Sequence, residues 1–169
     1  VERIQEGQEE IYYLVGPSID VLANSPHLEA FKEKGIEVLL FADPVDEVWL
    51  QQMPPEFKGK KFKSAGRGEV NLDESGGSEK DEESKQEEES YSDLLAALKT
   101  GVESNVKEVR ISKRLTSSPA CLVREDGDMS PQLEAMLRQA GQEVPSSQPI
   151  LEVNPTHPLL KRLQEIFDE

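Results

Sequence analysis

Apolar residues in the first part of the chain alternate between strand-like runs and helical spacing. Residues 11–15 (IYYLV) and 36–42 (IEVLLFA) are short, nearly continuous apolar runs, which are typical of buried strands. Between them, Leu28 and Phe31 have the spacing of one helix face. Because apolar strands joined through a helix occur in parallel sheets that helices cover, this part predicts an α/β fold: a small α-β-α layered subdomain with a short parallel sheet.

Two further elements are predicted before residue 72. Asp43 and Pro44 favour a turn that leads into a helix over residues 45–53, which the following Pro-Pro pair terminates. Residues 62–64 (FKS) are interpreted as a final strand at the edge of the sheet.

The pattern from residue 91 onward belongs to a different architecture. Its order is helix, two strands, helix, strand and helix, which defines an α+β C-terminal domain with a three-stranded sheet. The predicted helices are an apolar stripe over residues 91–102, residues 130–140 with Ser130 as cap, and residues 159–167, and the predicted strands are residues 106–111, 120–123 and 150–153.

Residues 73–90 separate these two patterns and contain no apolar side chain. Nine of them are acidic and two are basic. Such a segment cannot bury enough surface to offset the chain entropy lost on ordering. We therefore predict an acidic flexible linker between a unit over residues 1–72 and a unit over residues 91–169. A specific acidic binding tail is the alternative.

The charge of the whole chain limits its partners. It has 34 acidic against 19 basic residues, for a net charge of −15. A strongly acidic protein repels nucleic acid and anionic lipid, so the sequence predicts no nucleic-acid and no membrane partner. No apolar run is long enough to span a bilayer, and no signal peptide is visible. One cysteine cannot form an internal disulfide, which agrees with a cytoplasmic location.

Residues that could support catalysis or metal binding are sparse. Neither of the common glycine-rich phosphate loops is present, so no cofactor is predicted for this chain. Cys121, His27 and His157 are isolated and lack the spacing of metal ligands. We interpret Cys121 as a small buried strand residue rather than a redox-reactive thiol. Each histidine is interpreted as a helix-entry residue rather than a catalytic base, which leaves a small α/β enzyme as a rival hypothesis without a site.

The order of several short motifs resembles the 90-kDa heat-shock chaperone family, of the bacterial HtpG type. In the first half the resemblance is to the end of that family's middle domain, and in the second half to the start of its C-terminal domain. The motifs are residues 7–13 (GQEEIYY), 25–29 (SPHLE), 34–40 (KGIEVLL), 43–47 (DPVDE), 57–60 (FKGK), 106–110 (VKEVR), 114–120 (RLTSSPA), 128–130 (DMS) and 151–158 (LEVNPTHP).

The resemblance implies that the chain is an interior piece of an ATP-dependent chaperone. The family's ATP site and its ATP-contacting arginine belong to earlier segments, and its main dimer helices belong to a later one. This piece is therefore expected to be no enzyme by itself, whereas the parent protein would use ATP and Mg and form a homodimer. The implied partners are unfolded or partly folded client proteins, and a stand-alone acidic adaptor is the alternative function.

Two segments are candidates for client contact. Met129, Leu133, Met136 and Leu137 fall at positions i, i+4, i+7 and i+8, which is one face of a helix. Such a stripe is usually core, but methionine also adapts to many partners, and the family's matching helix is implicated in holding clients. Trp49 lies in a region where the family has a client-contact position, and core and client surface are both open for it.

Overall fold

The chain contains two separate β-sheets, one in each half. The structure is a computed structural model that describes residues 4–5, 7–70, 72, 90–143 and 147–168. We call the described residues up to 72 the first unit and those from 90 onward the second unit. The first unit contains β1 Glu10–Val15, α1 Ile19–Ala23, a 3₁₀ turn Pro26–Leu28, α2 Glu29–Glu33, β2 Val38–Phe41, α3 Pro44–Gln52, β3 Glu56–Phe57 and β4 Lys60–Ser64. The second unit contains α4 Ser92–Val102, β5 Glu108–Ile111, β6 Ala120–Val123, α5 Pro131–Gln139, β7 Ile150–Val153 and α6 Pro158–Asp168.

The first sheet has the order β2-β1-β4-β3, with β1 parallel to both β2 and β4. The predicted parallel pair is therefore confirmed. The prediction that residues 62–64 form an edge strand is wrong, because β3 pairs antiparallel with β4 and takes the edge position. Lys58 and Gly59 connect these strands with φ values of 51° and 74°, and two consecutive positive φ angles are what a tight hairpin turn requires.

The core of the first unit lies on the face of the sheet that α1 and α2 cover. Tyr12 and Leu14 point to this face from alternate positions of β1, and the rings of Tyr12 and Phe31 pack in a T-shaped arrangement at a centroid distance of 4.7 Å. Ser18 caps α1 by accepting a hydrogen bond from the backbone of Val21. The buried members of this core are Tyr12, Leu14, Leu22, Leu28, Phe31, Ala65 and Val70.

The second sheet has the order β5-β7-β6, in which β7 is parallel to β5 and antiparallel to β6. The predicted α+β arrangement with a three-stranded sheet is thus confirmed. Its core is formed by Val106, Val109, Ile111, Val153 and Leu160, against which α4 and α6 pack. Helix α4 includes Gly101 and ends at Val102.

The two units are joined by backbone hydrogen bonds, and we call this contact the seam. The backbone N–H of Ala30 donates to the carbonyl of Arg114 at 3.1 Å, and that of Gly68 donates to the carbonyl of Arg124 at 2.8 Å. Except for Ser90, the predicted linker over residues 73–90 lies outside the described residues. Within the part of the chain that the structure describes, no helix is long and apolar enough to cross a membrane.

Limited proteolysis is expected to cut first within residues 73–90, since their composition offers no apolar side chains to bury. Because the seam joins residues on either side of this segment, the two fragments should co-elute in native size-exclusion chromatography and separate in urea. Resistance of residues 73–90 comparable to that of the sheets would contradict the linker. Separate elution under native conditions would contradict a stable seam.

Candidate functional site

Helix α3 presents an uncovered apolar face. Val45, Val48 and Trp49 follow the i, i+3, i+4 spacing of one helix face, and Trp49 is 51% exposed. The helix is fixed at its start by a capping box between Asp43 and Asp46. Single exposed apolar residues are common on protein surfaces, but three large ones on one short helix form a patch of the kind that marks an interaction site.

The side chain of Trp49 is half exposed, but its ring also contacts an aromatic ring of the first sheet. Its ring lies 5.9 Å from that of Phe41 at the end of β2, in a tilted arrangement. Beside it, the open face of the first sheet forms a groove of about 480 Å³. The side chains of this groove are mostly apolar and include Ile11, Leu39, Phe41, Trp49, Met53, Phe57 and Phe62.

The methionine-leucine stripe around α5 is divided between surface and core. Met129 is 39% exposed, and Met136 and Leu137 are half-buried, whereas Leu133 is only 9% exposed and belongs to the interior. The stripe therefore anchors the helix through Leu133 and leaves the other three side chains partly accessible.

One charged residue of α5, Glu134, lies in the interior. Its side chain is buried and accepts a hydrogen bond from Arg124 Nη1 at 2.6 Å. Arg138, one helical turn later, lies 3.5 Å from the other carboxylate oxygen. A carboxylate with two guanidinium partners can be buried because its charge is compensated.

The structure brings the two candidate segments together. α3 of the first unit and α5 of the second unit contact each other, although more than 70 residues separate them in the sequence. We define the apolar surface as Val45, Val48 and Trp49 of α3 together with Met129, Met136 and Leu137 in and before α5. Its side chains come from both units, which the contact between α3 and α5 brings near each other.

A buried arginine in the second unit reaches across the seam. Arg114 is 1% exposed, and its Nη1 donates to the carbonyl oxygen of Ala65 at 2.6 Å. Its Nη2 donates to the carbonyl of Gly68. The positive charge is balanced by Glu152 of β7, whose Oε2 lies 2.8 Å from Arg114 Nε. Glu152 also accepts from Arg110 Nη2 at 2.8 Å.

A second polar contact joins the first unit to the second across the seam. Glu29 at the start of α2 accepts hydrogen bonds from the backbone N–H groups of Thr116 at 2.7 Å, Ser117 at 2.8 Å and Ser118 at 3.1 Å. Partial burial raises the pKa of Glu29, but the hydrogen bonds from this turn outweigh it and lower the pKa to about 2. The carboxylate of Glu29 is therefore ionised at neutral pH.

Two of the isolated residues, His27 and Cys121, occupy structural positions rather than a reactive site. His27 lies in the 3₁₀ turn, as expected of a helix-entry residue, and burial together with the nearby Arg114 charge lowers its pKa to about 4. Burial, with Glu152 nearby, raises the pKa of Cys121 to about 12, so its thiol is protonated and a poor nucleophile. Among the described residues, no three His, Cys, Asp or Glu side chains are placed to hold a metal ion.

Comparison with known proteins assigns the family. Residues 1–169 match the family model described as Hsp90 protein. The chain belongs to the Hsp90 family. This agrees with the family resemblance that the motifs of the sequence carry.

Curated relatives of this chain are bacterial chaperones. It is 50% identical over 176 residues to the chaperone protein HtpG of Nocardia farcinica, covering 100% of this chain and 26% of the relative. It is 48% identical over 170 residues to HtpG of Rhodococcus jostii, with 100% and 26% coverage. It is 50% identical over 173 residues to HtpG of Magnetococcus marinus, with 100% and 27% coverage. The chain thus spans about a quarter of the length of these relatives.

Proposed function

We propose that this chain is the client-holding and coupling segment of an ATP-dependent Hsp90-type chaperone. The observation that carries the proposal is the apolar surface, because it is assembled from two units and remains open to solvent at Trp49 and Met129. Large exposed apolar patches mark interaction sites, and the relatives named chaperone protein HtpG give the partner class. The partners are incompletely folded proteins.

The proposed mechanism is reversible burial of apolar area. Each Å² removed from water contributes about 25 cal/mol before the cost of association, so a patch of this kind holds many sequences with modest affinity. Methionine suits this task because its unbranched side chain adapts to different shapes. The net charge of −15 keeps the chaperone soluble and favours basic clients.

Coupling between the units is the second part of the proposal. Arg114 and Glu29 fix the position of one unit against the other, so a movement of the first unit is transmitted to the second. We place the domain boundary of the family within residues 73–90, with the end of the middle domain before it and the start of the C-terminal domain after it. In this proposal nucleotide, Mg and the dimer contact belong to other segments of a cytoplasmic parent protein.

Changing Met129 and Met136 together to serine is expected to weaken client holding while leaving the melting temperature nearly unchanged. Both side chains are partly exposed, so their truncation removes binding area without creating a buried cavity. Holding is measured as suppression of aggregation of an unfolding client by the full-length parent protein. We expect a partial loss, since Trp49, Val45 and Val48 remain.

Leu133 provides the matched control for this experiment. Because it is buried, Leu133→Ser should lower the free energy of unfolding by roughly 2–5 kcal/mol. Full holding by the double serine variant would contradict the proposed surface. A fall in its stability as large as that of Leu133→Ser would assign the methionines to the core.

A further inference from the structure

One loop of the second unit takes part in two of the polar contacts across the seam. We call this loop, residues 112–119 between β5 and β6, the strap. Arg114 in the strap donates to two backbone carbonyls of the first unit, and its own carbonyl accepts from the N–H of Ala30 at 3.1 Å. The N–H groups of residues 116–118 donate to the carboxylate of Glu29. The strap therefore follows the position of the first unit.

The strap is also bonded to β7, the central strand of the second sheet, and to the residue after it. The N–H of Ser112 donates to the carbonyl of Val153 at 2.8 Å, and the Ser112 hydroxyl donates to Glu152 at 2.9 Å. At the other end of the strap, the N–H of Asn154 donates to the carbonyl of Pro119 at 2.9 Å. A displacement of the strap therefore acts on the carboxyl end of β7.

Asn154 lies where β7 ends and the approach to α6 begins. Its side chain is 2% exposed, so its polar atoms need partners inside the protein. The amide Nδ2 donates to the carbonyl of Ser118 in the strap at 3.1 Å. The amide Oδ1 accepts from the N–H of Thr156 at 3.0 Å and from the Thr156 hydroxyl at 2.7 Å. One planar amide group thus joins the strap to the turn before α6.

The turn that follows Asn154 leads directly into α6. The carbonyl of Asn154 accepts from the N–H of His157 at 3.1 Å, and the carbonyl of His157 accepts from the N–H groups of Leu160 and Lys161 at 3.0 and 3.2 Å. The exposed large apolar side chains of this helix are Leu159, Ile166 and Phe167. A shift of α6 therefore changes the apolar side chains that the second unit presents to solvent.

The bond from Asn154 Nδ2 is more than the turn itself requires. An Asx turn uses only the side-chain oxygen, which here accepts from Thr156. The bond to Ser118 links this turn to a residue 36 positions earlier in the chain. Because breaking either bond leaves a buried polar group of Asn154 unpaired, a movement of the strap moves the amide, and the amide moves the turn.

We propose, building on the coupling part of the proposed function, that Asn154 is a positioning residue that transmits the position of the first unit to α6. The route runs from Glu29 through residues 116–118 of the strap to Asn154, and from there through Thr156 to the helix. Every step of this route is a hydrogen bond or a direct chain connection.

Two combined changes in the ¹⁵N-labelled chain test this transmission. Glu29→Gln keeps the size of the side chain but removes the charge that the strap binds, and it is expected to shift the amide signals of residues 156–161. Asn154→Ser keeps a hydroxyl for the turn but has no donor that reaches Ser118. In the Asn154→Ser background, Glu29→Gln is expected to shift the same signals by no more than about half as much, which is the signature of coupled sites.

Two further variants control for general effects. Glu33→Gln makes the same charge change on the same helix, but Glu33 is exposed and is not bonded to the strap, so residues 156–161 should not shift. Thr156→Val is the second variant if Asn154→Ser does not fold, since Thr156 is exposed and its hydroxyl bond to Oδ1 is lost. It should also reduce the response of α6 to Glu29→Gln.

Equal shifts of residues 156–161 in the native and Asn154→Ser backgrounds would overturn the role of Asn154. So would the absence of any shift there when Glu29→Gln is made in the native chain. These spectra involve no client, whereas client holding is measured on the variants of Met129 and Met136. Failure of the transmission through Asn154 is therefore distinguishable from failure of the proposed client surface.

Discussion

Replacing Arg114 by methionine is expected to lower the free energy of unfolding by roughly 3–5 kcal/mol. The change leaves Glu152, itself buried, without the guanidinium that lies 2.8 Å away. It also leaves the carbonyls of Ala65 and Gly68 without their donors across the seam. Urea unfolding followed by circular dichroism measures the loss, and it should be largely insensitive to salt because the pair is shielded from solvent.

Two variants identify the source of this loss. Arg110→Met removes the more exposed partner of Glu152 and should cost only about 1 kcal/mol, since Arg114 still compensates the carboxylate. The double change Arg114→Met with Glu152→Met removes both buried charges and should recover much of the lost stability. An Arg114→Met protein as stable as the Arg110→Met protein would contradict the structural role assigned to the buried pair.

Acidification from pH 7 toward pH 4 is expected to remove ~3 kcal/mol of stability through His27. The folded-state pKa of His27 is lowered from 6.5 to about 4, so the unfolded chain takes up the proton first. Its contribution is therefore fully present above pH 6.5 and is lost as the pH falls to about 4. The physical cause is burial of the imidazole, reinforced by the positive charge of Arg114.

The measurement compares unfolding free energies at several pH values for the native chain and for His27→Gln. Between pH 7 and 5 the native chain should lose stability as it takes up a proton on unfolding, and the variant should lose less. The comparison also reports on the seam, because His27 lies beside Arg114. Identical slopes for the two proteins would show that His27 titrates in the folded state as it does in the unfolded chain.

Local sequence patterns predicted most of the elements because their causes are local. The apolar runs at 11–15, 120–123 and 150–153 became strands within one residue of their predicted bounds. Ser130 caps α5 as expected, since its hydroxyl accepts from the backbone of Leu133 at 3.0 Å. The prediction of residues 62–64 as an edge strand was wrong because β3 takes the edge of the sheet. β3 has only two residues, and so short a strand shows no hydrophobic alternation in the sequence.

The seam could not be predicted from the sequence because its partners are distant along the chain. Glu152 stands in the apolar run ILEV, which signals a buried carboxylate, but its partner Arg114 is 38 residues away. Glu29 is 87 residues from Thr116, whose backbone it binds. Glu134 fits the polar side of an isolated helix, and its burial follows only from the approach of Arg124.

The sequence predicted Met129, Leu133, Met136, Leu137 and Trp49 as candidate client contacts, but it could not predict how the fold exposes each of them. Spacing alone placed Leu133 beside Met129 and Met136, yet the fold buries Leu133 and leaves the methionines more accessible. Trp49 could have been core or surface, since a lone tryptophan on a short helix fits both. Its exposure, and the approach of α3 to α5, depend on how the two units pack.

The most direct test of the account follows methyl groups during client binding. The chain has three methionines and one tryptophan, so ¹³C-methyl labelling and the indole N–H of Trp49 give four assignable reporters. Reduced and alkylated ribonuclease, a permanently unfolded basic protein, is the titrant. We expect the signals of Met129, Met136 and Trp49 to shift together along one saturation curve. Saturable binding that leaves these three signals unmoved would contradict it.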